Sequence, residues 1–282
     1  MKSTCPLLYL FLSMTTLGIV HAADRPAEKV IWNNPVTFTE PGLSHQTFSS
    51  ASMGIEVGYS VWLPPGYETS GRRYPVIYFL HGTSGTESAD SPAFSHRLAA
   101  RLAAGKISPA ICVFPNGGLS GYRDHSDSNV KVETMITKEL IPLIDKKYRT
   151  RPDRMSRVIG GFSMGGGGAV RLALTHPDLF SAAASWAGAF VRHDHDGKIT
   201  PDFDAGMLKP SSEPVRLLLI VGYDDITYPW HAPALEALLA AKYSFTYHTI
   251  AGLKHELGRY YDLTGDEFID FLAKDFPAQP KS

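Results

Sequence analysis

The stretch "IGGFSMGGGGAV", residues 159–170, places one serine among six glycines and between two apolar runs. The run before Ser163, "SRVIGG", is strand-like, and the run after it, "GGGAVRLAL", is helix-like. A flexible glycine linker is the simplest alternative, but apolar runs on both sides favour a tight turn between packed elements. Residues 161–165 are then G-x-S-x-G in a strand–turn–helix setting, which predicts the turn called a nucleophile elbow.

The glycines of this turn have a steric reason. Side chains two residues before and two residues after the serine would collide with the neighbouring backbone in so tight a turn. The further glycines, 166–168, let the helix pack close to the sheet. The turn exposes the Ser163 oxygen at a helix N-terminus, where the helix dipole and free N–H groups favour an oxyanion. The stretch therefore predicts Ser163 as a nucleophile.

Strand-like and helix-like runs alternate on both sides of this turn. Their alternation predicts a mainly parallel central sheet with helices on both faces, which is an α/β fold. Two further strands, meeting at Met53–Gly54, predict an antiparallel N-terminal extension of the sheet. Residues 189–214 lack periodicity and are the one place for a small lid. The strand-like runs are "YPVIYFLHG", "PAICVFPNG", "SRVIGGFS", "SAAASWAG", "VRLLLIVG" and "SFTYHTIAG". The helical runs are "FSHRLAARLAAG", "VETMITKELIPLIDKKY", "GGGAVRLALTHP", "APALEALLAAK" and "GDEFIDFLAKDF".

The bulk composition places function in a pocket. The chain has 282 residues, 44% of them hydrophobic, and a formal net charge of −1. That length allows one large core, and the balanced composition excludes a disordered chain. A net charge so near zero gives no electrostatic reason to expect nucleic acid or an anionic membrane as a partner.

The N-terminus has the pattern of an export signal. Lys2 precedes an apolar run from Pro6 to Val20, and the small residue Ala22 follows, which predicts a signal peptide over residues 1–22. The alternative is a membrane anchor, but the run is shorter than the ~20 residues that span a bilayer. We therefore expect a secreted or periplasmic protein with no stable membrane insertion. Its predicted parts are a lead-in over 23–43, one catalytic domain over 44–276 and a tail over 277–282. Cys112, which signal removal would leave as the only cysteine, lies in the apolar "PAICVFP" and is predicted to be core.

A serine needs an oriented base to act as a nucleophile. Asp224 and Asp225 follow the strand "VRLLLIV", and His255 follows the strand "SFTYHTIAG". The order Ser, Asp, His, with each residue just past a strand end, is that of a catalytic triad on an α/β sheet. His255 would take the proton from Ser163, and either aspartate could orient the imidazole. An isolated aspartate or histidine at such a position is often only a turn residue, but three placements in order favour the triad.

Two backbone N–H groups are needed to stabilise an oxyanion. Met164, next to the nucleophile, should supply one, and Gly82 or Thr83 in "HGTSG" should supply the other. Five aromatic residues near strand ends are candidates for walls of the substrate pocket, and each is as well explained as core: Tyr122, Trp186, Phe190, Tyr228 and Trp230. "HDHDG", residues 193–197, lacks the ligand spacing of a calcium loop, so a solvated loop is expected there, with no metal and no cofactor.

Five segments together resemble the esterase family that includes esterase D (S-formylglutathione hydrolase), feruloyl esterases, enterochelin esterases and the antigen 85 mycolyltransferases. They are "YFLHG", "KELIPLIDKKYRT", "GGFSMGGGGAVRLALTHPDLFSAAAS", "VGYDD" and "GLKHE", and the resemblance runs from about residue 45 to 275. It implies an α/β-hydrolase fold, acyl transfer through an acyl-serine, and Asp225 as the triad acid. The local sequence agrees, since Ile226 could pack inward while Asp224 and Tyr223 complete the turn.

Two features differ from the family pattern. Family members often have a bulky residue within the glycine run, where this chain has four glycines. Many feruloyl esterases have a tryptophan shortly after the catalytic histidine, where this chain has Tyr260 and Tyr261.

The sequence as a whole predicts an exported serine carboxylic ester hydrolase. Its partner would be a small-molecule or polymer-linked ester of the short-chain, aryl or sugar-linked kind. Two alternatives remain open: an acyltransferase that uses the same triad, and a non-catalytic binding protein that keeps the fold.

Overall fold

A computed structural model describes residues 30–193, 199–203, 208 and 214–276. The residues from Ile31 onward belong to one compact unit. The strands are β1 (Leu43–Ser50), β2 (Ile55–Trp62), β3 (Val76–Leu80), β4 (Ile111–Pro115), β5 (Arg157–Phe162), β6 (Ala182–Trp186), β7 (Val191–His193), β8 (Ile199–Pro201), β9 (Arg216–Gly222) and β10 (Thr246–Ile250). The helices are α1 (Tyr67–Ser70), α2 (Ser91–Ala103), α3 (Val132–Thr134), α4 (Ile141–Lys147), α5 (Met164–Thr175), α6 (Tyr228–Ala240) and α7 (Leu257–Ala273).

Eight of the strands form one mixed sheet in the order β1-β2-β4-β3-β5-β6-β9-β10. The first two pairings, β1–β2 and β2–β4, are antiparallel, and the pairings from β4 to β10 are parallel. The predicted parallel sheet with an antiparallel N-terminal extension is confirmed. Because parallel strands end at the same edge, this order brings the loops after β3, β5, β9 and β10 together.

Side chains of the central strand β3 alternate between two cores, one on each face of the sheet. Val76, Tyr78 and Leu80 pack into the core formed with α4, α5 and α6. Ile77 and Phe79 pack into the core formed with α2 and α7. Such a strand, buried on both faces, is uniformly apolar because neither face meets water.

The helix predicted over residues 132–148 is continuous but changes its winding. It begins as α3, passes through a π-helical turn at Met135–Leu140 and ends as α4. Pro142 stands at the start of α4, where the lack of an N–H does not interrupt the preceding turn.

Several sequence predictions lie outside the described residues. The signal peptide over 1–22, residues 23–29 of the lead-in and the tail over 277–282 are among them. Of the lid candidate at 189–214, the structure describes the ends and the short antiparallel pair β7–β8. Among the described residues, none of the helices has the length and apolar character needed to cross a membrane. Cys112 is buried in β4, and burial raises the pKa of its thiol.

Glu87 ties the described part of the lead-in to the body of the sheet. Its buried carboxylate accepts hydrogen bonds from the Asn34 backbone N–H (2.6 Å), the Asn34 side-chain amide (3.1 Å) and the Asn116 side-chain amide (2.7 Å). His45 Nε2 lies 2.9 Å from the same carboxylate. A fully buried carboxylate is tolerated because several donors surround it.

Glu87→Ala should therefore lower the free energy of unfolding by at least about 2 kcal/mol, because it leaves several buried donors without an acceptor. The exposed Glu68→Ala in α1 is the matched control and should change stability by less than about 0.5 kcal/mol. Urea denaturation followed by fluorescence measures both. Equal effects of the two substitutions would contradict the role of Glu87.

Candidate active site

Ser163 occupies the turn between β5 and α5 in a backbone conformation that residues other than glycine rarely adopt. Its φ is 55° and its ψ is −118°. The turn is possible because Gly161 and Gly165 have no Cβ where the backbone segments approach closely. A Cβ on Gly161 would lie 2.5 Å from the Gly165 carbonyl carbon, and a Cβ on Gly165 would lie 2.5 Å from the Leu80 carbonyl carbon. Strain of this kind persists where the surroundings enforce it, which is common at functional sites.

Three side chains from three loops form one hydrogen-bonded chain. Ser163 Oγ lies 2.9 Å from His255 Nε2, and His255 Nδ1 lies 2.9 and 3.0 Å from the two oxygens of Asp225. A carboxylate can only accept, so Nδ1 carries the proton and Nε2 is left to accept from the serine hydroxyl. The His255 ring also packs on Phe162, with ring centroids 4.7 Å apart. This is the geometry that activates a serine as a nucleophile.

Asp225 is held by donors that the sequence analysis did not identify. Thr227 donates its backbone N–H and its hydroxyl to Oδ1, both at 2.8 Å, and Tyr260 donates its hydroxyl to Oδ2 at 2.7 Å. Burial would raise the pKa of the Asp225 carboxyl, but the hydrogen bonds from His255, Thr227 and Tyr260 outweigh it and hold the pKa below its usual range. The sequence signal for Tyr260 is its place in the first turn of α7, just after His255.

Asp225, rather than Asp224, is the carboxylate that contacts His255; Asp224 is exposed. The expected reason was partly wrong, because Ile226 does not pack inward. Its side chain is 66% exposed and lines the cleft above Ser163. The hydrogen bonds from Thr227 and Tyr260 fix the carboxylate without help from Ile226.

The segment His81–Gly85, here called the oxyanion loop, runs beside the nucleophile. A Cβ on Gly82 would lie 3.4 Å from the Ser163 Cβ, so the Gly82 backbone passes close to the Ser163 side chain. Gly82, Thr83 and Met164 all line the cleft at Ser163. Within the described part of the chain, the amide N–H groups of Thr83 and Met164 have no assigned acceptor. The two amides are therefore candidates for the donors of an oxyanion hole.

The cleft at Ser163 has a volume of about 790 Å³ and is open to solvent. Apolar and polar groups share its walls. The apolar side chains are Leu119, Phe162, Met164, Val191, Ile226, Trp230 and Leu257. The polar side chains besides Ser163 and His255 are Thr83, Ser84, Asp90, Ser120, Arg123, His125, Asp202 and Thr227.

Of the five aromatic residues expected to wall this cleft, Trp230 does so and the other four do not. Trp186 stacks on Phe268 in the core and donates its indole N–H to Thr264 Oγ1 at 2.9 Å. Phe190 and Tyr122 are likewise buried. Their position near strand ends was the basis of the prediction, but their rings point into the protein. Tyr228 packs against Tyr223 with ring centroids 4.6 Å apart and an angle of 34° between the ring planes, and it does not line the cleft.

Two carboxylates in the cleft have different surroundings. Asp202 forms an ion pair with Arg123, which neutralises its charge. Asp90 has no partner assigned within the described residues, and burial raises its pKa to about 6. Among the described residues that line the cleft, the Asp90 carboxyl group is therefore one that ionises near pH 6 without a cationic partner.

No group of three or more His, Cys, Asp or Glu side chains within the described ranges is arranged to hold a metal ion. The segment "HDHDG" falls almost entirely outside those ranges, so its prediction as a solvated loop stays a prediction.

Comparison with known proteins gives a family and a fold. The family described as "Putative esterase" matches residues 50–278. An esterase of Mycobacterium tuberculosis is 37% identical over 160 residues, and an endo-1,4-beta-xylanase/feruloyl esterase of Xylanibacter ruminicola is 33% identical over 146 residues. The structure of a ferulic acid esterase matches with a TM-score of 0.71 at 25% identity, over 83% of this chain and 98% of its own. The predicted α/β-hydrolase fold is confirmed by such neighbours.

The curated relatives are longer than the shared region. The match to the Mycobacterium tuberculosis esterase covers 55% of this chain but 34% of the relative. The match to the Xylanibacter ruminicola enzyme covers 48% of this chain and 20% of that protein. The likeness therefore concerns one part of each relative.

Asp225→Asn should lower kcat by about 10⁴-fold, because an amide stabilises the wrong tautomer of His255 while keeping the shape of the carboxylate. Asp224→Asn, the neighbouring exposed carboxylate, is the matched control and should lower kcat less than tenfold. Steady-state hydrolysis of a p-nitrophenyl ester measures both. Reversed losses would identify Asp224 as the acid.

Ionisation of Asp90 should make the cleft select against anionic esters. As pH rises through about 6, the ratio of kcat/KM for a neutral ester to that for a matched ester with a sulfonate on its acyl chain should rise roughly fivefold. Any ionisation that changes the turnover of both esters equally cancels in the ratio. Asp90→Asn should make the ratio independent of pH, whereas the exposed Asp178→Asn should behave as wild type.

The same carboxyl should affect stability with a defined sign. Its pKa in the folded state, about 6, lies above the ordinary value of 3.8, so ionisation destabilises the fold as pH rises between these values. Asp90→Asn should then have a higher Tm than wild type at pH 7 and no advantage at pH 4. An equal shift at both pH values would contradict the raised pKa.

Proposed function

The chain belongs to the "Putative esterase" family, and from that membership and the geometry at Ser163 we propose that it is an exported serine carboxylic ester hydrolase. The observation that carries the proposal is the hydrogen-bonded chain Ser163–His255–Asp225 at the floor of an open cleft. If these three hydrogen-bonded side chains were buried, substrate could not reach them. A cleft without them would have no activated nucleophile.

The reaction proceeds in two halves. Ser163 Oγ attacks the ester carbonyl carbon while His255 Nε2 takes the hydroxyl proton, and the carbonyl oxygen becomes an oxyanion bound by the N–H of Met164 and an N–H of the oxyanion loop. Collapse of this intermediate breaks the bond to the alcohol, which leaves with the proton from His255. Water then attacks the acyl-serine, with His255 again taking a proton, and the acid departs as Ser163 regains its hydrogen.

The walls of the cleft support esters of the short-chain, aryl or sugar-linked kind. Ile226, Trp230 and Leu257 offer apolar surface for an alkyl or aryl group. Asp90 and the Arg123–Asp202 pair offer acceptors and donors to a group that carries hydroxyls. Two relatives are named a feruloyl esterase and an S-formylglutathione hydrolase, which for those proteins denote an ester of an aryl-containing acid and a thioester of a one-carbon acid.

Export is the remaining part of the proposal. It rests on the pattern of Lys2, the apolar run from Pro6 to Val20 and Ala22, all in the part of the chain outside the described residues.

Ser163→Ala should reduce turnover of p-nitrophenyl acetate by several orders of magnitude and abolish the burst of p-nitrophenol, because no acyl-serine can form. Ser44→Ala in the edge strand β1 is the control and should keep wild-type turnover. Circular dichroism should show that both variants keep the fold. Undiminished hydrolysis by the Ser163 variant would exclude the serine mechanism, and a wild-type protein with neither a burst nor steady-state turnover would favour a non-catalytic binding role.

A further inference from the structure

Tyr122 is a buried aromatic residue that the proposed reaction does not use. Its hydroxyl donates a hydrogen bond to the carbonyl oxygen of His81 at 3.0 Å, and His81 begins the oxyanion loop. We propose that Tyr122 is a positioning residue, which holds the oxyanion loop in the orientation that stabilises the transition state. This inference rests on the proposed esterase function.

The peptide plane links this hydrogen bond to the N–H of Gly82, one of the two oxyanion-loop donors that the sequence predicts. The carbonyl of His81 and the N–H of Gly82 belong to one planar trans peptide, so they point in opposite directions. Fixing the His81 oxygen on the Tyr122 hydroxyl therefore fixes the direction of the Gly82 N–H. Removing the Tyr122 hydroxyl would remove the hydrogen bond that holds the His81–Gly82 peptide plane in this orientation.

The His81 side chain fixes the next peptide in the same way. Its Nε2 accepts the backbone N–H of Gly117 at 2.9 Å, so Nδ1 carries the proton and donates to the Gly82 oxygen at 2.8 Å. Gly85 N–H donates to the same oxygen at 3.0 Å. Burial lowers the pKa of His81, which keeps the ring neutral in this arrangement. The Gly82 carbonyl shares its peptide with the N–H of Thr83, the other expected donor.

The backbone of Tyr122 is strained, and its surroundings hold it in place. Its φ is 60°, in the left-handed region that residues with a side chain rarely adopt. Its N–H donates to Ser120 Oγ at 2.9 Å, and its carbonyl accepts from the buried Arg171. Arg171 is in turn paired with Glu133 at 2.6 Å. Strain that several contacts enforce is a sign of a functional constraint rather than of ordinary packing.

Two glycines provide the space for the Tyr122 ring. A Cβ on Gly117 would lie 2.5 Å from the ring carbon that bears the hydroxyl, and a Cβ on Gly168 would lie 2.7 Å from ring carbon Cδ2. Gly168 belongs to the glycine run after Ser163. The ring thus lies between the helix of the nucleophile and the loop of the oxyanion hole.

Tyr122→Phe removes the hydroxyl and keeps the ring, so it tests positioning without opening a cavity. We expect kcat for a p-nitrophenyl ester to fall about tenfold, less than the 10²–10³-fold loss of a whole oxyanion donor, with KM unchanged. A boronic acid whose tetrahedral adduct on Ser163 mimics the transition state should bind about tenfold more weakly. Inhibition by the product acid should stay the same.

Tyr74→Phe is the matched control. It also removes a buried tyrosine hydroxyl, and the hydrogen-bond partner of that hydroxyl is Ser70 Oγ, at 2.5 Å, rather than a residue of the oxyanion loop. The Tyr74 variant should leave kcat and boronate affinity unchanged. Gly168→Ala is the second variant: its methyl group presses on the Tyr122 ring and should lower kcat and boronate affinity together, even where Tyr122→Phe folds poorly. Ser163 titration with an activated ester normalises every rate to folded enzyme.

The outcomes separate this inference from the proposed function. An inactive wild-type protein would overturn the esterase proposal itself. With an active wild type, unchanged kcat and boronate affinity in Tyr122→Phe would overturn the positioning role. The positioning role would also be overturned if KM rose while kcat stayed the same, or if the rate fell only because a smaller fraction of Ser163 could be titrated. In both cases the boronate affinity would be unchanged.

Discussion

The close contact between the first turn of α5 and the end of β3 is the constraint on which the site depends. Leu80 at the end of β3 is paired in register with Gly161 of β5, and Gly165 packs against the Leu80 backbone from the helix. This contact brings the helix N-terminus, the strained Ser163 and the oxyanion loop within reach of one substrate carbonyl. The parallel register then carries through β6 and β9 to β10, which sets the loops of Asp225 and His255 beside the serine. A bulky side chain at Gly161 or Gly165 would disturb all of these positions together.

Asp225 and Asp90 show how the same side chain acquires opposite properties in one cleft. Burial disfavours the charged form of both carboxyl groups. At Asp225 the donors His255, Thr227 and Tyr260 outweigh burial and keep the carboxylate ionised, as its proposed role beside an imidazole requires. At Asp90 burial raises the pKa to about 6. The Asp225 carboxylate is suited to holding an imidazole in a fixed orientation. The Asp90 carboxyl group is suited to an electrostatic interaction with a charged group of the substrate.

The sequence predicted the elements and the relative order of the site residues because these depend on local patterns. The runs around Ser163 and the strands before Asp225 and His255 could each be identified from a few adjacent residues. The direction of an aromatic ring in a loop depends on distant contacts, and there the predictions failed. Trp186 offered a partial signal, since it shares its strand face with Ala182 and Ala184, which pack on the side of α7. Tyr122 offered none beyond the preceding glycine, because its left-handed backbone is imposed by Arg171 and Ser120.

The four glycines after Ser163 are best understood together with Tyr122. A helix rich in glycine is intrinsically less stable, so the run needs a reason in packing. Each of Gly166, Gly167 and Gly168 faces a different neighbour: Ser185 and the Trp186 backbone, the Ala189 backbone, and the Tyr122 ring. The helix is therefore as close to the sheet as backbone contact permits, and the ring of Tyr122 fills the space beside Gly168. A Cβ at Gly168 would collide with that ring, whose hydroxyl donates to the His81 carbonyl at the start of the oxyanion loop.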